Sequence, residues 1–65
     1  MYGLSKKKLD EKVKVTCYGK TEVITRRQGL KFYREGMECS EGSEHERYEK
    51  IFFALLDGKM EASDL

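Results

Sequence analysis

Apolar and polar residues alternate strictly from Lys12 to Tyr18. Val13, Val15 and Cys17 fall on one face of such an extended segment, and Lys12, Lys14, Thr16 and Tyr18 on the other. That period of two is the signature of a half-buried strand. Gly19-Lys20 follows as a two-residue turn, with glycine supplying a positive φ. Residues 21–25, all β-branched except Glu22, then return antiparallel. This turn sets Tyr18 opposite Thr21 and Val15 opposite Ile24, and leaves Val13, Val15, Cys17 and Ile24 as the apolar face.

The period then changes. Thr25 with Gln28 forms a capping box, so a helix starts at Arg26. Leu30, Tyr33 and Met37 give it a buried stripe, and it stops near Cys39. Gly29 and Gly36 each weaken it by about 1 kcal/mol relative to alanine, a cost that packing must offset. Residues 40–42, Ser-Glu-Gly, are a loop. Ser43 with Glu46 reads as a second capping box. The second helix runs to Asp57 with Gly58 as its left-handed stop, and Tyr48, Ile51, Phe52, Leu55 and Leu56 form its apolar face.

The ends are less regular. In residues 1–11 Ser5 can cap one helical turn, but no period is sustained, so a flexible basic arm docked by Tyr2, Leu4 or Leu9 is expected. Residues 59–65 read as a frayed tail. The domain proper is 12–58. A hairpin alone is marginal in water, and two amphipathic helices across its apolar face complete a core. A short interhelical loop makes those helices antiparallel. The expected fold is therefore α+β, a two-layer β-hairpin on an antiparallel helix pair in ββαα order.

Composition narrows the class. At 65 residues a chain buries only about 60% of the surface its unfolded form exposes. The longest apolar run, Ile51 to Leu56, is far short of the roughly 20 residues of a membrane span. Three lysines at 6–8 precede no apolar stretch, so no secretory signal is read. Two cysteines are too few for a disulfide scaffold. A cytoplasmic protein with reduced thiols is expected.

The chemistry of catalysis is thin. His45 is the only histidine and falls in an exposed first turn. Alternation places Cys17 in the core, and Cys39, though it flanks the same loop as His45, reads as a packing residue. No nucleophile–base–orienter set emerges, so no enzyme, cofactor or small-molecule substrate is expected. Glu35, Glu38, Glu41 and Glu44 crowd one end of the helices with Cys39 and His45. No CxxC or paired-histidine spacing supports a zinc site, and a solvated acidic end is the simpler account.

Charge is more telling. Residues 1–34 carry ten Lys and Arg against three acids, net +7, and residues 35–65 carry three against nine, net −6. The first helix runs against its own dipole, with Arg26 and Arg27 in its first turn and Glu35 and Glu38 in its last. Free N–H groups with Arg26 and Arg27, extended by Lys12, Lys14 and a stacking Tyr18, would form an anion or nucleic-acid patch. Alternatively, Asp57 and the second helix's C-terminal dipole neutralise Arg26 or Arg27 within the fold. Phe32 and Phe53 lie off the apolar stripes, a sign of contact with another chain. Two functions follow. One is a protein-interaction module, self-associating or binding a larger partner through Phe32, Phe53 and the acidic loop with Glu41 and Glu44. The other is a nucleic-acid-binding accessory using Lys12, Lys14, Tyr18, Arg26 and Arg27.

Ile24-Thr25-Arg26 leading to Phe32-Tyr33, then Glu41-Gly42-Ser43-Glu44 and Glu46-Arg47-Tyr48, resemble short uncharacterised proteins of Gram-positive bacterial plasmids, integrative elements and phage-like regions. The resemblance covers about two-thirds of the chain. It implies a bacterial cytoplasm and an accessory role, and carries over no functional residue.

Overall fold

The alternating segment forms β1 (Lys12–Cys17) and its return forms β2 (Lys20–Thr25) in the computed structural model, which describes residues 5–64. The turn sits one residue earlier than Gly19-Lys20. Its two central residues are Tyr18 (φ +55°) and Gly19 (φ +76°). Positive φ at both positions matches the right-handed twist of the flanking strands, so Gly19 takes the second position and Tyr18 is drawn into the first. The register follows: Cys17 pairs with Lys20, Thr16 with Thr21, Val15 with Glu22 and Val13 with Ile24. The expected pairs Tyr18–Thr21 and Val15–Ile24 are thus displaced by two positions. An even displacement keeps every side chain on its expected face, and Ile24 still joins Val13 and Val15.

Upstream, Ser5 caps a single helical turn, α1 (Lys6–Leu9), accepting the Lys8 N–H at 3.2 Å. Part of the expected flexible arm is therefore structured, with Leu9 half-buried; Tyr2 and Leu4 lie outside the described residues. Downstream, α2 (Arg26–Glu38) starts in the expected capping box, both of whose hydrogen bonds are made. In α3 (Ser43–Leu56) the cap is Gly42 (φ +66°), without a side-chain bond. Ser43 lies inside the first turn, which corrects the second capping box. The end of α3 follows expectation. Gly58 takes φ +90°, its N–H donates to Leu55 O, and the Lys59 N–H donates to Ala54 O, the paired bonds of a Schellman motif.

The largest departure is β3 (Glu61–Ser63), inside the expected tail. It pairs parallel with β1, so the sheet has three strands in the order β2-β1-β3. Lys14 N–H donates to Met60 O at 3.0 Å, and Asp64 N–H to Thr16 O at 3.1 Å. Three residues carry no readable alternation, but β3 satisfies the second edge of β1 and adds Ala62 to the core.

That core gathers Val13, Val15, Tyr33, Ile51, Phe52, Leu55 and Ala62, joining one sheet face to both long helices in an α+β fold. Close approach is bought by glycine at one point: a Cβ on Gly29 would stand 2.6 Å from Leu55 Cδ1 and 3.2 Å from Ile24 Cδ1. The Tyr33 and Tyr48 rings lie 5.8 Å apart, seating the middle of α2 on α3.

Candidate interaction edge

Arg26 is completely buried. Its Nε donates to Lys8 O at 3.3 Å, Nη1 to Leu55 O and Lys59 O at 2.8 Å each, and Nη2 to Glu11 Oε1 at 3.0 Å and Gly58 O at 3.3 Å. All five guanidinium donors are occupied within the chain. A cation at a helix C-terminus is favourable, so Arg26 belongs electrostatically to the end of α3 rather than to the start of α2. The partner carboxylate is Glu11, not Asp57. Arg27 pairs with Asp10 at 3.1 Å on the surface. The expected anion patch therefore lacks Arg26.

Tyr18 is engaged as well. Arg47 stacks its guanidinium 4.4 Å from the Tyr18 ring centroid, and the phenol donates to Glu44 Oε1 at 2.5 Å. That bond holds the phenol proton, pushing its pKa up to about 12. The Tyr18 N–H donates to Asp64 Oδ2 at 2.9 Å, and Arg47 pairs with the same carboxylate. These two contacts hold the Asp64 carboxyl below its ordinary range, and the bond to Asp64 raises Arg47. The cluster joins the hairpin turn, the first turns of α3 and the end of β3. Lys12 and Lys14 remain exposed on the outer sheet face beside Thr16 and Val23.

The protein-contact candidates separate. Glu41 is exposed in the loop, and Glu44 is held by Tyr18. Phe53, half exposed, lines a shallow groove with Lys50 and Lys59. Phe32 lines another, of about 370 Å³, between β2 and α2, with Lys20, Glu22, Ile24, Tyr33 and Tyr48. The two phenylalanines line separate grooves. The His45 Nδ1–H donates to Met37 O at 2.8 Å, and Nε2 lies 3.8 Å from Glu49. Cys39 ends α2 and is exposed. Among the described residues no three His, Cys, Asp or Glu side chains form a group able to hold a metal.

The groove at Phe32 borders an open strand edge. β2 is terminal in the sheet. The residues flanking a two-residue turn form a hydrogen-bonded pair, and such pairs alternate along the ladder. Cys17–Lys20, Val15–Glu22 and Val13–Ile24 thus bond inward, and the Arg26 N–H to Glu11 O bond at 2.8 Å continues the series. Thr21, Val23 and Thr25 then point their backbone groups away from β1. The Thr25 N–H is taken by Gln28 Oε1 at 3.2 Å. The free edge is therefore the N–H and C=O groups of Thr21 and Val23. Val23 is 62% and Phe32 59% exposed, one on each side of that edge. The sequence signals the exposed Phe32, but the edge itself needs the strand order, which only β3 settles.

No protein-family model, curated protein or solved structure matches this chain.

Proposed function

We propose that this chain is a non-catalytic protein-interaction module and that its contact surface is the free edge of β2 with Phe32. One observation carries the reading: unpaired strand groups, Val23 and Phe32 occur together at one margin of the molecule. An open strand edge is a template for another strand, and the flanking groove offers apolar surface for its side chains. The expected two-layer packing with antiparallel helices supports this, because it backs the edge with α2; the contacts of Gly29 with Leu55 and of Tyr33 with Tyr48 accord with it. Two free thiols suit a reducing cytoplasmic setting, and an accessory role in a bacterial mobile element is compatible with such a module.

The test is a photoreactive phenylalanine analogue at position 32, with Lys50 as the control position. Protein adducts from position 32 but not from 50, in the purified chain or a lysate, are expected. Absence of any protein adduct from 32 would overturn the reading. The nucleic-acid alternative retains Lys12 and Lys14 as its candidates. DNA binding at low salt that Lys12→Ala/Lys14→Ala abolishes and Phe32→Ser leaves intact would favour it.

A further inference from the structure

Resting on that interaction reading, we propose that the occupant of the β2 edge is a second copy of this chain, paired about a two-fold axis through Glu22. The four free groups of the edge belong to Thr21 and Val23. In an antiparallel pair of β2 strands with Glu22 opposite its own copy, Thr21 faces the partner's Val23 and each such pair exchanges both backbone bonds. All four groups on each chain are then satisfied, and Val23 gains a β-branched cross-strand neighbour. Centring on Val23 would direct Thr21 to the partner's Thr25, whose N–H the capping box already holds.

Charge complementarity independently favours a second copy. On the groove side of the sheet, Glu22 lies diagonal to the partner's Lys20, within reach of long side chains. The axis stands normal to the sheet, so it also reverses α2 against its copy. Arg27 and Glu38 are already paired, with Asp10 and Arg34, and Lys31 and Glu35 line a different groove, toward Phe52 and Leu56 of α3, so the complementarity at this edge rests on Glu22 and Lys20. Phe32, beside the groove, is covered by the same approach. The result is a continuous six-stranded sheet backed by both copies of α2, a closed isologous dimer.

The one unfavourable element is Glu22 facing itself, which makes the geometry testable. Sedimentation velocity should show a dimer of the full chain. Phe32→Lys should weaken it by at least tenfold while leaving the circular dichroism unchanged, because Phe32 is exposed. Glu22→Gln should tighten it by up to about fivefold, since like charges directly opposite are destabilising. In a Cys17→Ser/Cys39→Ser background, mild oxidation of Glu22→Cys should give a position-22 to position-22 disulfide, since directly opposite residues fall within bridging distance. Lys14→Cys, on the central strand, should not. A strict monomer at millimolar concentration, or a dimer that Glu22→Cys fails to link at position 22, would overturn this inference. Protein adducts from position 32 in a lysate of such a monomer would leave the interaction reading standing with a different partner.

Discussion

Replacing Arg26 by methionine should destabilise the protein strongly. The change keeps an apolar stem of similar length and removes all five donors. Lys59 O and Gly58 O then lose the only hydrogen bonds they make among the described residues, whereas Leu55 O retains the Gly58 N–H. Both contacts are part-buried, so each lost bond costs toward the lower end of the about 1–3 kcal/mol of an unsatisfied buried acceptor, and the Glu11 carboxylate, 35% exposed, rehydrates. At roughly 0.05–0.15 kcal/mol per residue, a chain of this length has about 3–10 kcal/mol of total stability. The loss is therefore a large share of the whole. Glu11→Gln tests the ionic part alone: it keeps an acceptor for Nη2 and leaves the guanidinium its four carbonyl partners, so it should cost about 1 kcal/mol. Arg26→Lys keeps the charge but has three donors instead of five and should fall between the two. Urea unfolding followed by circular dichroism ranks the variants. The effect should also be local, because Arg26 ties α1, the end of α3 and the lead into β3. In Arg26→Lys, hydrogen exchange at Lys14, whose N–H bonds Met60 O, should rise before exchange in the β1–β2 ladder. If Arg26→Met costs under about 1 kcal/mol, or Glu11→Gln costs as much as Arg26→Met, the carbonyl-clamp account is wrong.

Other consequences are smaller and separable. Gly29→Ala gains about 1 kcal/mol of helix propensity but forces Leu55, fully buried, to move from a 2.6 Å clash; overpacking of about 1–3 kcal/mol should make it net destabilising in urea melts. Gly36→Ala meets only the Tyr48 ring at 3.2–3.3 Å, and should lie within about 0.5 kcal/mol of the parent. Asp64 has its folded-state pKa depressed, so its contribution is complete above the ordinary value of 3.8 and is lost as pH falls through the lower folded value. Asp64→Asn should accordingly flatten the acid limb of a stability–pH curve, and an unchanged limb would refute the role of its contacts with Tyr18 and Arg47. Tyr18 and Tyr33 are both held up to about 12, Tyr18 by its bond to Glu44 and Tyr33 by burial. A raised pKa contributes stability that is complete below pH 10 and lost as pH rises toward 12. Tyrosinate absorbance should show late-ionising rings, and one fewer in Tyr18→Phe.

Much of this fold is legible locally. Alternation in residues 12–17 reports β1 because the segment is buried on one face alone, and Thr25 with Gln28 fixes the start of α2 through bonds three residues apart. The errors arise where a local signal has two solutions or none. A single glycine at 19 permits a turn on either side of it, and only the two-residue geometry selects Tyr18-Gly19. Ser43 followed by Glu46 satisfies the capping pattern, but Gly42 at positive φ supplies the chain reversal and leaves Ser43 inside the helix. β3 is too short to show a period. Its place is set by long-range contacts, the ladder to β1 and the Asp64 carboxylate shared by Tyr18 and Arg47.

Arg26 and α2 show why a charge pattern read on one element can mislead. On its own sequence, a helix with arginines in the first turn and glutamates in the last calls for a partner at both ends. The fold resolves the first end internally. Arg26 lies at the N-terminus of α2 only in the chain; in space it caps the C-terminus of α3, where a cation belongs, and Asp10 pairs with Arg27. No comparable contact compensates Glu35 at the other end, and Lys31 also lacks an ion pair among the described residues. Arg34 also pairs with Glu38 at 3.7 Å, so the charge anomaly shrinks from the whole helix to Lys31 and Glu35, which line the groove toward Phe52 and Leu56 of α3. The open strand edge is a separate deficit, one of hydrogen bonding, and a reversed second copy would satisfy it with residues this chain already carries.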